Sequence, residues 1–209
     1  MMSLLVFMTF LLPLVSSSIF IEPLNAVYNY GDTLTAQTKI VPSTAVSGHY
    51  IVDLRCGNVT INVFNNFLDL PANVEREITV TTQVLNPLLN NVTNSCLLGA
   101  NYVGESINSN SFRLSKIINV EAEIEFDELR PGNYLTISGT AIKESGIPVN
   151  GFVEVFVNSL NLYKSFTIID GVLNISLILP EDVKSGKHNI TLELHNTDYS
   201  SRKINFGSF

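Results

Sequence analysis

Alternation at a period of two residues constrains this chain more than any other feature. Past the first eighteen positions, short segments put an apolar side chain at every second residue, which is how a half-buried strand reads. Leu34, Ala36 and Ile40 interleave with Thr35, Gln37 and Lys39. Tyr50, Val52, Leu54 and Cys56 follow, then Val59, Ile61 and Val63, and later Ile78, Val80 and Val84 against Thr79, Thr81 and Gln83. The second half repeats this grammar: Leu135 and Ile137, then Val153, Val155 and Val157 against Phe152, Glu154 and Phe156. Leu173 to Leu179 and Ile190, Leu192 and Leu194 continue it, and Ile204 and Phe206 make a last strand. Turn chemistry separates the segments. Asn86-Pro87 ends one strand, because Pro cannot donate and pushes the preceding residue away from helical geometry. Asp170-Gly171 predicts a tight hairpin between Phe166/Ile168 and Leu173/Ile175. No amphipathic helix pattern intervenes. With about seven strands in each half, the fold class is all-β, two tandem immunoglobulin-like β-sandwiches after an N-terminal signal peptide.

The chain has 209 residues, of which 45% are hydrophobic, enough for two small cores. The expected division is a leader over 1–18, one sandwich over 19–119 and a second over 120–209; Phe112 to Glu125 closes the first, and Asn119 to Phe126 is shared between the last strand of one unit and the first of the next. The boundary carries no Gly/Ser-rich or Pro-rich linker, so a fixed relative orientation is expected. The sequence contains no Trp, which removes the buried strand-C tryptophan of antibody domains.

The uncharged run from Leu4 to Val15 has the length of a signal-peptide core and is short for a bilayer span. No Lys or Arg precedes it, so a buried N-terminal strand or an uncleaved anchor stays open as the alternative. The two cysteines, Cys56 and Cys96, permit one intrachain pairing, and export makes that pairing the default. Each lies in phase with apolar neighbours: Cys56 with Tyr50, Val52 and Leu54, Cys96 with Leu98, Ala100 and Tyr102. Both sulfurs therefore point to the core. Four N-x-S/T sequons, at Asn58, Asn91, Asn174 and Asn189, are candidate glycosylation sites.

The net charge of −7 and the absence of a Lys/Arg cluster argue against nucleic acid as a partner. Chemistry is sparse. There are three histidines, His49, His188 and His195, and none has metal-ligand spacing. His195 shares an outward strand face with Glu193, and His49 with Asp53; both pairs read as solvated polar positions. The serines fall in turns and strand rims with no paired histidine expected. Phe152 and Phe156, with Glu154 between them, lie opposite the valine stripe and form an apolar contact patch or the surface under a neighbouring domain. Glu121, Glu123, Glu125 and Asp127 share one strand face, and with Glu128 they pose the question of a calcium site. The alternative is a charged edge that resists strand pairing. No catalytic residue, cofactor or metal ligand is assigned, and the expectation is a protein that is not an enzyme.

Val27-Tyr-Asn-Tyr-Gly-Asp-Thr-Leu resembles the opening strands of immunoglobulin-like and macroglobulin-like domains in large surface proteins. Leu135-Thr-Ile-Ser-Gly-Thr-Ala with Gly146-Ile-Pro-Val-Asn-Gly resembles a phrase of bacterial and archaeal immunoglobulin-like repeats. Leu179-Pro180 through Gly186-Lys-His-Asn-Ile resembles their closing hairpin, and Ser111-Phe-Arg-Leu-Ser the end of such a repeat. The resemblance implies a sandwich fold and an extracellular setting. The thioester Cys-Gly-Glu-Gln of a macroglobulin is absent, so protease trapping does not follow. The expected function is a secreted or cell-surface structural or adhesion module that binds a protein or glycan, either free or as the N-terminal part of a longer surface array. The other reading is a non-catalytic accessory or carbohydrate-binding part of a secreted hydrolase. Such folds usually present affinity on loops at the sandwich ends or on an exposed sheet edge, here the regions around Asn90 to Ser95 and Glu105 to Ser111.

Overall fold

The computed structural model describes residues 17–85, 87–89, 95–125, 130–184, 186–197 and 201–208. Its strands are β1 (Ser17–Ile21), β2 (Val27–Asn29), β3 (Thr33–Pro42), β4 (Val46–Cys56), β5 (Val59–Leu70), β6 (Arg76–Gln83), β7 (Cys96–Tyr102), β8 (Glu105–Asn108) and β9 (Arg113–Ser115). They continue as β10 (Ile118–Glu125), β11 (Tyr134–Lys143), β12 (Gly151–Val157), β13 (Leu162–Ile168), β14 (Val172–Ile178), β15 (Asn189–Asn196) and β16 (Ser201–Ser208). Among the described residues the only helical pieces are two single 3-10 turns, Pro87–Leu89 and Asn158–Leu160.

The strands form two sandwiches with one wiring. In the first, a sheet of order β1-β3-β6 faces one of order β5-β4-β7-β8. In the second, β10-β11-β14 faces β13-β12-β15-β16. Counting the seven main strands of each unit in chain order, both units read 1-2-5 over 4-3-6-7. This is an immunoglobulin-like order in which the fourth strand has joined the second sheet. The first unit adds a short parallel pair, β2 with β9.

Each sandwich has its own core because each strand contributes every second side chain. In the first unit Leu34, Ile40, Tyr50, Val52, Leu54, Leu98 and Tyr102 are fully buried. In the second, Leu135, Ile137, Val153, Val155, Val157, Ile175, Leu192 and Leu194 are. Each buried Val, Leu or Ile contributes about 1.5–3 kcal/mol, and cutting one such as Leu98 to Ala costs about 2–5 kcal/mol. With no Trp, the bulk of the first core comes from Tyr50 and Tyr102, edge to face at 6.4 Å. The Tyr102 hydroxyl donates to the Val46 carbonyl at 3.0 Å, so the ring is buried without orphaning its polar end.

Cys56 and Cys96 form a disulfide, and they face each other directly across β4 and β7. The backbone of Cys96 exchanges both of its hydrogen bonds with Phe112 on its other side. Cys56 and Cys96 are therefore a non-hydrogen-bonded pair, and their Cα atoms stand 4.2 Å apart, the close spacing of that kind of pair. The bridge ties neighbours within one sheet, not the two sheets to each other.

The structure adds local detail to these expectations. Val59, Ile61 and Val63 point inward, but the register breaks opposite Val52/Asp53, and beyond the bulge Phe64, Leu68 and Leu70 take over the inward phase. Asp170 and Gly171 do form a tight turn, with φ of 50° and 74° and the Val172 amide donating to Ile169. The strands on either side of it are not partners, however. β13 pairs with β12, and β14 with β11, so the turn carries the chain from one sheet to the other. Phe112 to Glu125 does not all close the first unit: β9 pairs with β2, whereas the whole of β10 pairs with β11 and places Ile118 in the second core. Of the two settings expected for Glu105 to Ser111, a loop or an exposed sheet edge, Glu105 to Asn108 takes the second: it is the strand β8 on the edge of the first unit's larger sheet. Ser17 and Ser18, read as the end of the leader, pair in β1 with Pro42 and Val41; residues 1–16 lie outside the described residues.

Candidate functional site

The outer face of β13-β12-β15-β16 gathers side chains that the sequence keeps far apart. Alternation in β12 sends Val153, Val155 and Val157 inward, so Phe152, Glu154 and Phe156 must face out. In β15 the same rule exposes Thr191, Glu193 and His195 to that face. The register then sets Phe152 opposite His195, Glu154 opposite Glu193, and Phe156 opposite both Thr191 and Tyr163.

Phe152 stacks on the His195 ring, with centroids 4.7 Å apart and planes 17° from parallel. Phe156 and Tyr163 lie at 5.0 Å, and the Lys203 ammonium sits 6.0 Å above the Phe156 ring. The Tyr163 hydroxyl donates to Glu154 Oε1, and that hydrogen bond to a carboxylate holds the phenol above its usual pKa. Glu154 Oε2 approaches His195 Nε2 at 3.3 Å, and Glu193 Oε1 approaches it at 3.7 Å. The remaining oxygen, Glu193 Oε2, lies 3.9 Å from Lys203 Nζ. Glu154, Glu193 and His195 are the one group among the described residues whose ligand atoms converge as a metal set would require. Phe152 and Tyr163 remain 43% and 54% exposed, so a large apolar area flanks this polar centre.

The other sequence-derived residues are dispersed. Glu121, Glu123 and Glu125 do share an exposed face of β10, but alternate residues on a strand stand about 6–7 Å apart, and their carboxylates do not converge. Asp127 and Glu128 lie outside the described residues. His49 bonds Asn65 at 2.9 Å and packs edge-on to Phe67, whereas Asp53 accepts from Asn62 and neighbours Arg55; the two do not meet. Asn58, Asn174 and Asn189 are exposed, and Asn91 lies outside the described residues, as does most of the Asn90 to Ser95 loop.

One pairing was not anticipated. Ser159 lies 2.8 Å from His188 Nδ1, and His188 Nε2 lies 2.8 Å from the Lys184 carbonyl. A carbonyl only accepts, so Nε2 carries a proton, and Nδ1 is bonded to the Ser159 hydroxyl. The buried imidazole thus clips the 3-10 turn after β12 to the loop before β15. Its two ring nitrogens are both engaged, and that leaves His195 as the histidine with an available nitrogen on this unit.

Polar groups also bridge the two units. Lys143 donates to Asp32 at 2.9 Å, both buried. Asn29 donates to the Ile117 carbonyl and accepts from the Ser145 amide, each at 2.9 Å. Arg113 and Ser115 both donate to Glu144. The Tyr-Asn-Tyr-Gly-Asp phrase of the first unit therefore meets the turn after β11 of the second.

The strand order defines an all-β chain of immunoglobulin-like sandwich architecture. No protein-family model matches it, and no curated protein does. Among solved structures, a β-glucosidase from Listeria innocua in complex with glucose aligns with 48% of this chain and 16% of its own, at 13% identity and a TM-score of 0.38. A Salmonella alpha-2-macroglobulin mutant aligns with 90% of this chain and 14% of its own, at 13% identity and a TM-score of 0.32. Escherichia coli alpha-2-macroglobulin activated by porcine elastase aligns with 91% and 21%, at 9% identity and a TM-score of 0.30. The chain thus spans between about one seventh and one fifth of these proteins, and the likeness carries no functional argument. No helix among the described residues is long and apolar enough to cross a membrane.

Proposed function

We propose that this chain is a secreted or surface-displayed interaction module, without catalysis of its own, that binds a partner through the outer face of β13-β12-β15-β16. The observation that carries the reading is the cluster of Phe152, Phe156 and Tyr163 around Glu154, Glu193 and His195 on an exposed sheet. Binding surfaces concentrate aromatic groups, and Phe152 and Tyr163 stand exposed among the described residues. The disulfide and the exposed sequons at Asn58, Asn174 and Asn189 support export, with residues 1–18 as its signal. Cleavage after Ser18 would still leave Ile19 to Ile21 paired in β1.

The test is binding of the labelled chain to the surface of its source cells. The reading expects saturable binding that drops at least ten-fold in the double variant Phe152→Ser/Tyr163→Ser and is unchanged by Phe67→Ser, an exposed aromatic on the first unit. Equal binding by both variants overturns the assigned face. Binding that transfers to isolated polysaccharide, with the same loss in the double variant, would assign the chain to the accessory carbohydrate-binding class.

A further inference from the structure

We propose that Glu154, Glu193 and His195 form a binding site for a divalent transition cation of the zinc type. The site stands on its own geometry and does not depend on what partner the face binds.

Three observations converge. The first is distance. Two ligands about 2.0–2.1 Å from a tetrahedral zinc stand about 3.3 Å from each other. His195 Nε2 lies 3.3 Å from Glu154 Oε2 and 3.7 Å from Glu193 Oε1, and the three residues each place a ligand atom within 4.8 Å of the others, near the spacing a shared cation needs.

The second is the state of the ligand atoms. His195 Nε2 is shielded from solvent and makes no hydrogen bond, although Glu154 Oε2 and Glu193 Oε1 stand 3.3 Å and 3.7 Å away. A buried ring nitrogen without a partner is costly, and a metal ion satisfies it. Each carboxylate meanwhile has one oxygen committed outward, Glu154 Oε1 to Tyr163 and Glu193 Oε2 toward Lys203, and turns the other toward the ring. That is how outer-shell partners orient metal ligands. Phe152, stacked on the imidazole, fixes its plane.

The third is the register. Glu154 and Glu193 are directly opposed across β12 and β15, and like charges in that position destabilise a sheet. A cation between them removes the repulsion. The imidazole selects for zinc, cobalt or nickel over calcium and magnesium, which prefer oxygen alone. With three protein ligands, the fourth position is left to water or to a donor from a partner.

The test titrates chelator-treated full chain with zinc, and separately with cobalt for its visible absorption. The expected result is uptake of one equivalent, with affinity lowered at least about ten-fold by His195→Ala, Glu154→Gln or Glu193→Gln and about ten-fold by Tyr163→Phe. His49→Ala, on the other unit, leaves affinity unchanged. All of these positions lie outside the core, and thermal melting of each metal-free variant verifies its fold. Lack of saturable uptake by the wild-type chain overturns the site. So does uptake that survives both His195→Ala and Glu154→Gln.

Discussion

Lys143 and Asp32 come from different sandwiches and meet at 2.9 Å, their side chains 7% and 0% exposed. Asp32 spends its second oxygen on the Asn29 amide at 2.7 Å, so the carboxylate is saturated by its own turn and by the neighbouring unit. Asp32→Ala would strip a buried ammonium of its carboxylate, at a cost on the order of 3–5 kcal/mol. The double variant Asp32→Leu/Lys143→Met would recover much of the loss, because it removes both charges of the pair. Urea unfolding of both variants measures this. A single-variant cost below about 1 kcal/mol would mean that the pair is solvated and does not lock the junction.

Glu144, beside that pair, gives the junction a pH signature. The Arg113 guanidinium, followed by the Ser115 hydroxyl, pulls its carboxyl from an ordinary value near 4.5 down to about 2. The folded value lies below the unfolded one, so its contribution is complete above about pH 4.5 and is lost as pH falls toward 2. Thermal melts across that window should show a decline that Glu144→Gln makes shallower. An identical slope in the variant would separate acid sensitivity from this contact.

The two halves of the candidate site were legible and their meeting was not. Period-two patterning alone places Phe152, Glu154 and Phe156 on one outward face, and Glu193 and His195 on another. Which strands pair is a long-range matter: β12 and β15 are joined across β13 and β14, and no local spacing encodes that Glu154 opposes Glu193. The same limit explains the Asp170-Gly171 turn, whose chemistry is local and correctly read while the partners of its flanking strands are not. The bulge in β5 was visible as adjacent apolar residues, Val63 and Phe64, breaking the alternation. Ser159 and His188 are 29 residues apart and meet only because two loops converge at one end of the sandwich. Core positions on strands without a bulge, such as Leu34, Val52, Val155 and Leu192, were readable, because burial there follows from phase alone.

The disulfide should matter to the first sandwich more than to the second. It closes a loop of 40 residues, which in the chain-entropy model restrains the unfolded state by about 4 kcal/mol. Reduction, or Cys56→Ala with Cys96→Ala, should lower the unfolding midpoint of the unit holding Tyr50 and Tyr102. The cores share no side chains, so the second unit should keep its own transition. Near-ultraviolet dichroism of the buried tyrosines, against hydrogen exchange at Val155 and Leu192, distinguishes the two. Simultaneous loss would show that the junction couples the units into one cooperative block.

Gly151 links the scaffold to the proposed site. It begins β12 opposite Asn196, and a Cβ there would come within 2.0 Å of the His195 carbonyl oxygen. Backbone cannot yield as a flexible side chain does, so Gly151→Ala must push β12 and β15 apart at the residue carrying the imidazole. The Phe152 stack and the approach of Glu154 to His195 would open together, while Val155 and Leu192, farther along the pair, hold the core. The expected result is zinc affinity reduced at least ten-fold with most of the thermal stability kept. If Gly151→Ala instead binds as the wild type does, the strands have accommodated the methyl group, and the spacing at His195 is not what positions the ligands.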